Sequence, residues 1–235
     1  PSQTVPSPNG LLDALGGPES IEFMRTISTS MSFAWSTVGV VAVSHAGVPS
    51  LSLVVLFMHR LGVRAIHLVS QLEAGLAVCG QGAGIIVDCG HSSTSCGAVC
   101  TDAGGLLPWS IGSKQISADG ALLPAELDQL VEIAYRRIDD PQFQHDVRAF
   151  VLLIGGRASP ELASALTPVV SRGKSQVPTS KGAATAWMGG SLLGGIAGNI
   201  TWIVSADVEE IFEEDAGQAG MQRLRQLVKR QFGLS

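Results

Sequence analysis

The chain of 235 residues is long enough for one large domain or two small ones, each with a substantial core. Its net charge of −5 argues against nucleic acid or an anionic membrane surface as a partner. Only 15% of its residues are Asp, Glu, Lys or Arg, well below the roughly 25% of an average soluble domain. Because so few charges are available to cover a free surface, we expect much of that surface to be buried against other subunits.

The first third of the sequence predicts an extended arm followed by an α/β unit. Residues 1–18 are rich in Pro, Gly and Ser, and neither a secretory signal nor an Arg-rich transit peptide is visible. A helix over 19–31 comes next, and strands then alternate with helices, as is typical of α/β architecture. The alternating elements are a buried strand over 38–44, a helix from Pro49 to His59, a strand over 65–70 and a helix from Gln71 to Val78.

The rest of the sequence predicts a hairpin, a second series of helices and strands, and a helical tail. An amphipathic helix over 124–140 carries Leu127, Leu130, Val131 and Ala134 on the face expected to meet the core. The other predicted elements are a hairpin over 84–99, a strand over 149–156, a helix over 159–170 with Ser159 as N-cap, a Gly-rich helix over 185–199, a strand over 201–206 and an amphipathic tail helix over 221–235. We expect the tail to dock on the chain's own surface, with a partner protein as the alternative.

The four cysteines are expected to be reduced, small apolar residues of buried strands. Cys89, Cys96 and Cys100 could be combined with His91 into a metal site. Their spacings, C-x-H, C-x6-C and C-x3-C, do not match zinc patterns that start from a C-x2–4-C pair. We therefore predict that these side chains do not form a metal site. Cys79 is also expected to be a reduced, small apolar residue.

Two stretches without charged side chains, 26–59 and 182–206, leave a membrane-associated alternative open. The first is interrupted by a histidine, a proline and several serines, which favours a buried strand followed by a helix. The second contains Gly190, Gly194 and Gly198, a spacing of small residues that is typical of closely packed helices in membranes. It is equally typical of a tightly packed helix inside a protein.

Four blocks, in this order along the chain, resemble the actin and actin-related protein family. SQLEAGLAVCGQGAGIIVDCG (70–90) resembles the glutamine helix that leads into the family's second phosphate hairpin. LPWSI (107–111) is similar to the segment that follows this hairpin. FVLLIGGRASPELASAL (150–166) resembles the strand, Gly-Gly pair and helix at the adenosine site, and the block that starts AWMGGS (186–217) resembles the WIGGS helix and the region after it.

The resemblance covers 38–111 and 124–217 and implies a degenerate actin-like α/β fold of two RNase H-like halves. Nothing similar to the first phosphate loop precedes residue 38, and only twelve residues separate Ile111 from Pro124. The first phosphate-loop strands and the two small insertion subdomains are therefore expected to be missing. The implied organisation is an extended arm over 1–18, a partial first half over 19–83, a second half over 84–184, and a return to the first half with a C-terminal amphipathic helix over 185–235.

Six residues occupy positions of the family's nucleotide site, so the resemblance implies a vestigial site. Gln71 matches the residue that aligns the attacking water, and Asp88 matches the carboxylate that orders metal-bound water. Gly90 matches a glycine that approaches the phosphates. The other three positions are Gly155 and Gly156, which match the Gly-Gly pair, and Lys181, which lies two residues before the lysine position that precedes the WIGGS tryptophan.

The hairpin departs from the family's pattern at three positions. His91 and Ser92 stand where the family has an acidic residue and a glycine, and Ser95 stands where it has a histidine. A side chain at Ser92 removes the glycine's freedom to adopt a positive φ and places a Cβ where phosphate should approach. One hairpin also lacks half of the donors that enclose a triphosphate, so we predict no catalytic residue, no cofactor and no ATP hydrolysis.

The resemblance therefore implies a non-catalytic scaffold subunit of a larger assembly, of cytoskeletal, ciliary or chromatin type, without direct nucleic-acid contact. Protein partners are expected to cover the open edge of the strand 38–44. One alternative is a switch that binds ATP or ADP with Mg²⁺ at a site completed by a partner. Another is an accessory subunit of a membrane protein complex. We expect an intracellular protein, cytoplasmic or cytoskeletal by preference, with the nucleus or an organelle as alternatives.

Overall fold

The computed structural model describes most of the chain, which folds as a mixed α/β protein and so confirms the predicted class. The described residues are 18–44, 51–90, 93–100, 105–106, 112–115, 124–148, 150–166, 174–176, 184–195, 201–214 and 218–231. They form two compact units. The first contains the described residues of 1–42, 50–67 and 201–231, and the second contains those of 43–49 and 68–200.

The first unit is built around a three-stranded sheet in the order β1-β2-β9, where β2 and β9 run antiparallel. The elements that contribute to it are α1 (Pro18–Ser30), β1 (Gly39–Ser44), α2 (Leu51–Val54), the first residues of β2 (Ala65–Ser70), β9 (Ile203–Val204), α8 (Ser205–Glu214) and α9 (Gln218–Gln231). The tail helix α9 buries Leu224 and Val228 completely. The predicted amphipathic tail therefore docks on the unit to which it belongs.

The indole ring of Trp202 packs over Gly39, the only glycine of β1. A Cβ added at Gly39 would lie 3.1 Å from the ring of Trp202. Glycine leaves the space that the indole needs, and the ring in turn covers a strand position that has no side chain. The ring of His67 lies 6.0 Å from that of Trp202, and His67 Nδ1 is 2.7 Å from the carbonyl oxygen of Thr201.

The second unit contains a six-stranded sheet in the order β5-β4-β3-β7-β8, with β6 also paired to β4. The strands are β3 (Ala83–Cys89), β4 (Ser93–Cys100), β5 (Gly105–Leu106), β6 (Gly112–Gln115), β7 (Phe150–Ile154) and β8 (Lys174–Gln176). β4 pairs antiparallel with β3, β5 and β6. β7 pairs in parallel with β3 and with β8. The sheet is thus a hairpin that parallel strands continue on one side.

Helices cover both faces of this sheet because successive side chains of the buried strands point to opposite sides. The helices are α3 (Gln71–Val78), α4 (Pro124–Arg136), α5 (Pro141–Arg148), α6 (Pro160–Leu166) and α7 (Thr185–Gly195). Ile85, Val87 and Leu153 pack with buried side chains of α4 and α6. Ile86 and Leu152 pack on the other face with α3, and α7 lies against α3.

Most of the predicted elements are confirmed, with α3 matching its predicted bounds. Ser70 and Glu73 form a reciprocal capping box, in which Ser70 Oγ accepts from the Glu73 amide at 3.1 Å. The helix stops before Gly80, whose φ of +61° suits glycine. Ser159 caps α6 as predicted and accepts from the Leu162 amide at 3.2 Å. The buried face of α4 also carries the four predicted side chains.

Three predictions of secondary structure are wrong in part. The helix predicted to reach His59 is α-helical only over α2 and becomes a π-helix over Val55–Arg60. At its end, the Leu61 amide donates a hydrogen bond to the Leu56 carbonyl. The helix predicted over 124–140 ends at Arg136, and a separate helix, α5, begins at Pro141, where Asp140 Oδ1 accepts from the Gln142 amide at 2.7 Å. The strand predicted over 201–206 is shorter, because β9 covers only Ile203–Val204 and the helix α8 begins at Ser205. Residues 1–17 of the predicted arm and Lys181 lie outside the described residues, and Pro18, the last residue predicted for the arm, begins α1.

Candidate functional site

Three of the six predicted site residues meet at one edge of the sheet in the second unit. Asp88 lies at the end of β3, Gly155 directly follows β7, and Gln71 is the first residue of α3. β3 and β7 are parallel, with Asp88 opposite Ile154, so their carboxyl ends lie at the same edge. Nε2 of Gln71 donates a hydrogen bond to Oδ2 of Asp88, which joins the helix to the sheet.

The carboxylate of Asp88 is also in close contact with the backbone at Gly155. Asp88 is only 8% exposed. A Cβ added at Gly155 would lie 2.5 Å from Asp88 Oδ1 and 2.6 Å from the Cys89 carbonyl oxygen, and Gly155 has a φ of +93°. Only glycine fits this position without strain, because both the backbone conformation and the neighbouring atoms exclude a side chain.

The other two predicted positions in the described part of the chain, Gly90 and Gly156, do not take part in this contact. Gly90 belongs to the turn of the hairpin, where an added Cβ would lie 2.7 Å from the Ser93 carbonyl oxygen. Gly156 is exposed and has open space around its Cα. Lys181, together with the altered positions His91 and Ser92, lies outside the described residues.

The structure adds Arg157 to the site, and it places Ser95, which the sequence marked only as a departure from the family's pattern, opposite Asp88. The Arg157 amide donates to the Cys89 carbonyl at 3.0 Å and so joins the turn after β7 to the end of β3. Ser95 lies directly opposite Asp88 in the hairpin and is fully buried. Directly opposed residues share a face of an antiparallel pair, so Ser95 and Asp88 point to the same side. A backbone contact and a cross-strand pair leave no signal in residue type, which is why the sequence did not indicate them.

The buried cysteines lie on the opposite face of the sheet, and Cys89 and Cys96 are held as neutral thiols. Cys89, Cys96 and Cys100 are free and buried. Burial, followed by the negative charge of Asp88, raises the pKa of Cys89 to about 12. Burial also raises the pKa of Cys96, with a smaller contribution from Cys89. Because the thiolate is the reactive form, neither side chain is suited to nucleophilic chemistry at neutral pH.

We predict that iodoacetamide at pH 8 modifies Cys79 of the native protein and leaves the three strand cysteines unmodified. Cys79 is partly exposed, although burial raises its pKa and should slow the reaction. Mass spectrometry of the labelled peptides provides the measurement, and labelling of all four cysteines in urea is its control. Modification of Cys89 or Cys96 at the rate of Cys79 would contradict the buried placement.

The same pKa shift predicts how stability responds to alkaline pH. The folded-state pKa of Cys89, about 12, lies above the ordinary thiol value of 9.0, so folding favours the neutral thiol. The contribution of the neutral Cys89 thiol to the free energy of unfolding is fully present below about pH 9. It is lost as the pH rises toward the folded-state pKa. Urea unfolding between pH 8 and pH 11 should show a falling free energy of unfolding, and Cys89→Ala should reduce the slope.

Replacing Gln71 by alanine should lower the free energy of unfolding by about 1–2 kcal/mol, because Asp88 loses a donor while it stays buried. Gln71→Glu should cost more at pH 7 than at pH 4. Two adjacent carboxylates raise each other's pKa, so stability is lost as the pH rises and both ionise. The matched control is Gln142→Ala on α5, which removes an exposed Gln–Asp hydrogen bond of 3.0 Å to Asp146. Equal losses at the two sites would contradict a structural role for the Gln71 contact.

Two classes of site find no support in the part of the chain that the structure describes. No group of three or more His, Cys, Asp or Glu side chains there is arranged to hold a metal ion. No helix among the described residues is both long enough and apolar enough to cross a membrane.

Comparison of the sequence with protein-family models gives no match, and a search of the curated proteins finds no similar sequence.

Proposed function

We propose that this chain is a non-catalytic, actin-related subunit of a larger protein assembly, with a degenerate actin-like fold. The observation that carries the proposal is the contact between Gln71 and Asp88. In the family that the sequence resembles, these positions align the attacking water and order the metal-bound water. Here the amide of Gln71 is bonded directly to the carboxylate of Asp88, so the two groups serve as an internal contact of the protein.

The chemistry of phosphoryl transfer explains why this contact matters. Catalysis of this reaction depends almost entirely on positioning and on charge compensation. Oδ2 of Asp88 accepts from Gln71, and Oδ1 lies where a Cβ added at Gly155 would come within 2.5 Å of it. The substitutions His91 and Ser92 further reduce the suitability of the hairpin turn for phosphate. In this proposal the site has a structural role, because its contacts connect α3, β3 and the turn after β7.

The architecture of the second unit supports the actin-like part of the proposal. An antiparallel hairpin continued by parallel strands, with helices on both faces, is the kind of sheet expected of an RNase H-like half. The glutamine helix, the hairpin and the strand followed by Gly-Gly occur in the expected order and make direct contact. This support concerns fold and not activity.

Two apolar surfaces support a place in an assembly. In the first unit, β1 is an edge strand within the described residues, and Val40 and Val41 are only partly buried. In the second unit, α7 buries Gly189 and Gly190 and exposes large side chains, with Trp187 68% exposed and Leu192 48% exposed. Exposed apolar groups of this size typically mark protein interfaces.

The proposal is tested by phosphate release from Mg-ATP with the purified chain and with Asp88→Asn. This substitution keeps the shape of the side chain and removes its charge. We expect the wild type to release phosphate no faster than the variant, because neither catalyses the reaction. Release by the wild type that disappears in Asp88→Asn would assign an active ATPase site and overturn the proposal.

A nucleotide switch completed by a partner is the second candidate. It is favoured by the clustering of Gln71, Asp88 and Gly155 at one edge of the sheet. Binding of a fluorescent ATP analogue by the purified chain and by the chain with its co-purifying proteins separates the two candidates. Binding only in the presence of partners, and its loss in Asp88→Asn, would favour the switch.

A further inference from the structure

We propose that the outer face of α9 binds a short acidic segment of another protein. This face is formed by the exposed side chains Gln222, Arg225, Gln226 and Lys229. The inference rests on the proposed function in one respect, which is that the chain works within an assembly of proteins. It goes further by naming the surface of the first unit that a partner contacts and the chemistry of that partner.

The packing of α9 on the first unit determines which of its side chains face outward. Leu224 and Val228 lie four residues apart and are completely buried, so they fix one side of the helix against the unit. Arg225 and Lys229 are also four residues apart, and both are exposed. Because α9 is held in this way, it presents the two cationic side chains next to each other on a surface of fixed shape.

The positive charge of this face is not neutralised within the described part of the chain. α9 contains four basic residues and no acidic one, so neither Arg225 nor Lys229 can form an ion pair along the helix. Neither side chain has an ion-pair partner elsewhere among the described residues, whereas Arg136 on α4 pairs with Glu132 at 2.7 Å. Like charges four residues apart weaken a helix, and carboxylates of a bound partner would remove this cost.

The acidic helix beside α9 favours a short peptide segment over a nucleic acid or a membrane. α8 packs against α9 and exposes Asp207, Glu209 and Glu210. A phosphate backbone or an anionic bilayer is negative over its whole extent, so it would approach these carboxylates as well. The chain as a whole also carries a net charge of −5, although α9 is positive. A run of Asp and Glu that matches the 14 residues of α9, about 21 Å, avoids this repulsion.

The first test is the binding of a fluorescein-labelled peptide of alternating Glu and Ala to the purified chain, followed by fluorescence anisotropy. We expect binding at low salt that weakens as salt is added, because the attraction is between exposed charges. Arg225→Glu combined with Lys229→Glu should weaken binding by about tenfold or more. The matched control combines Arg60→Glu with Arg64→Glu, which makes the same change of charge at two exposed positions of the same unit. A wild type that binds no acidic peptide, or equal losses in the two double variants, would overturn the inference.

Cross-linking tests whether the bound peptide lies on α9. A water-soluble carbodiimide joins a carboxylate to an amine as an amide with loss of water, and Lys229 is the only lysine of α9. Mass spectrometry should find the peptide attached to Lys229, with much less of it on Lys114 or Lys174. Lys229→Arg keeps the charge and removes the amine, so this variant should keep the binding and lose the cross-link. Attachment mainly at the other lysines would contradict the assignment of the surface.

The same measurements separate the acidic segment from other occupants of this face. If acidic residues of this chain outside the described ranges cover α9, the wild type binds no peptide and charge reversal lowers the melting temperature, which overturns the inference. Tighter binding of single-stranded DNA or of phosphatidylserine vesicles than of the peptide also overturns it. Arg225→Gln combined with Lys229→Gln removes both charges without adding new ones, and it replaces the charge-reversed variant if circular dichroism shows that variant to be unfolded.

Co-purification distinguishes this inference from the proposed function. The inference predicts that the assembly found with the wild type loses at least one protein in the variant without the two positive charges. If the wild type and this variant were found in the same complete assembly, the scaffold role would stand and the inference would be overturned.

Discussion

Replacing Gly189 by alanine should lower the free energy of unfolding of the second unit by about 3 kcal/mol, in the upper part of the range for overpacked cores. Gly189 is buried in α7 where this helix crosses α3. A Cβ at this position would overlap the carbonyl group of Ala74, and it would lie 2.7 Å from the Ala74 Cα. The obstacle is the backbone of a helix, which no rotamer change can move aside.

Gly195→Ala is the matched control, because it makes the same substitution in the same helix. Gly195 is exposed, and an added Cβ would meet nothing within 4 Å. Alanine is the better helix former, so this variant should be unchanged or more stable by up to about 1 kcal/mol. Urea unfolding followed by circular dichroism gives both values. Equal stability of the two variants would mean that α7 and α3 do not pack in this way.

Replacing Gly155 by alanine should also cost about 3 kcal/mol, through two effects that add. The φ of +93° lies in a region that residues with a side chain rarely adopt, which costs about 1–3 kcal/mol. The new Cβ would in addition lie 2.5 Å from Asp88 Oδ1 and 2.6 Å from the Cys89 carbonyl oxygen. Relief of this overlap requires β7 and β3 to separate at the edge where the candidate site lies.

Gly156→Ala isolates this effect from the general consequences of losing a glycine in the turn. Gly156 is adjacent in sequence, exposed, and free of neighbours within 4 Å of an added Cβ. The substitution should change the free energy of unfolding by no more than about 0.5 kcal/mol. Thermal unfolding of the two variants in parallel provides the measurement. If the Gly155→Ala variant were as stable as the wild type, Asp88 would not lie against Gly155 in this way.

The sequence predicted the elements whose signals are local. β2 and α3 could be located because a run of apolar residues passes directly into a Ser–Glu capping pair at Ser70 and Glu73. The buried face of α4 follows from the spacing of its leucines. The π-helical end of the helix after Leu51 could not be located, because a π-turn depends on how the helix end packs and not on residue type.

The candidate site was predicted only as a set of residue types in family order. The spacing of Gln71 and Asp88 indicated that both belong to one site, but not that their side chains would bond to each other. That contact depends on how α3 packs on the sheet. The inward glycines of α7 carry no amphipathic signal, so the sequence likewise did not indicate that Trp187 would face outward.

The most direct test of the central claim is the native mass of the untagged protein in a gentle lysate, with the co-purifying chains identified. The proposed function predicts a defined assembly that is much larger than a dimer of the 24.4 kDa chain and contains other proteins in constant proportion. A stable homodimer or monomer free of other proteins would contradict the scaffold role.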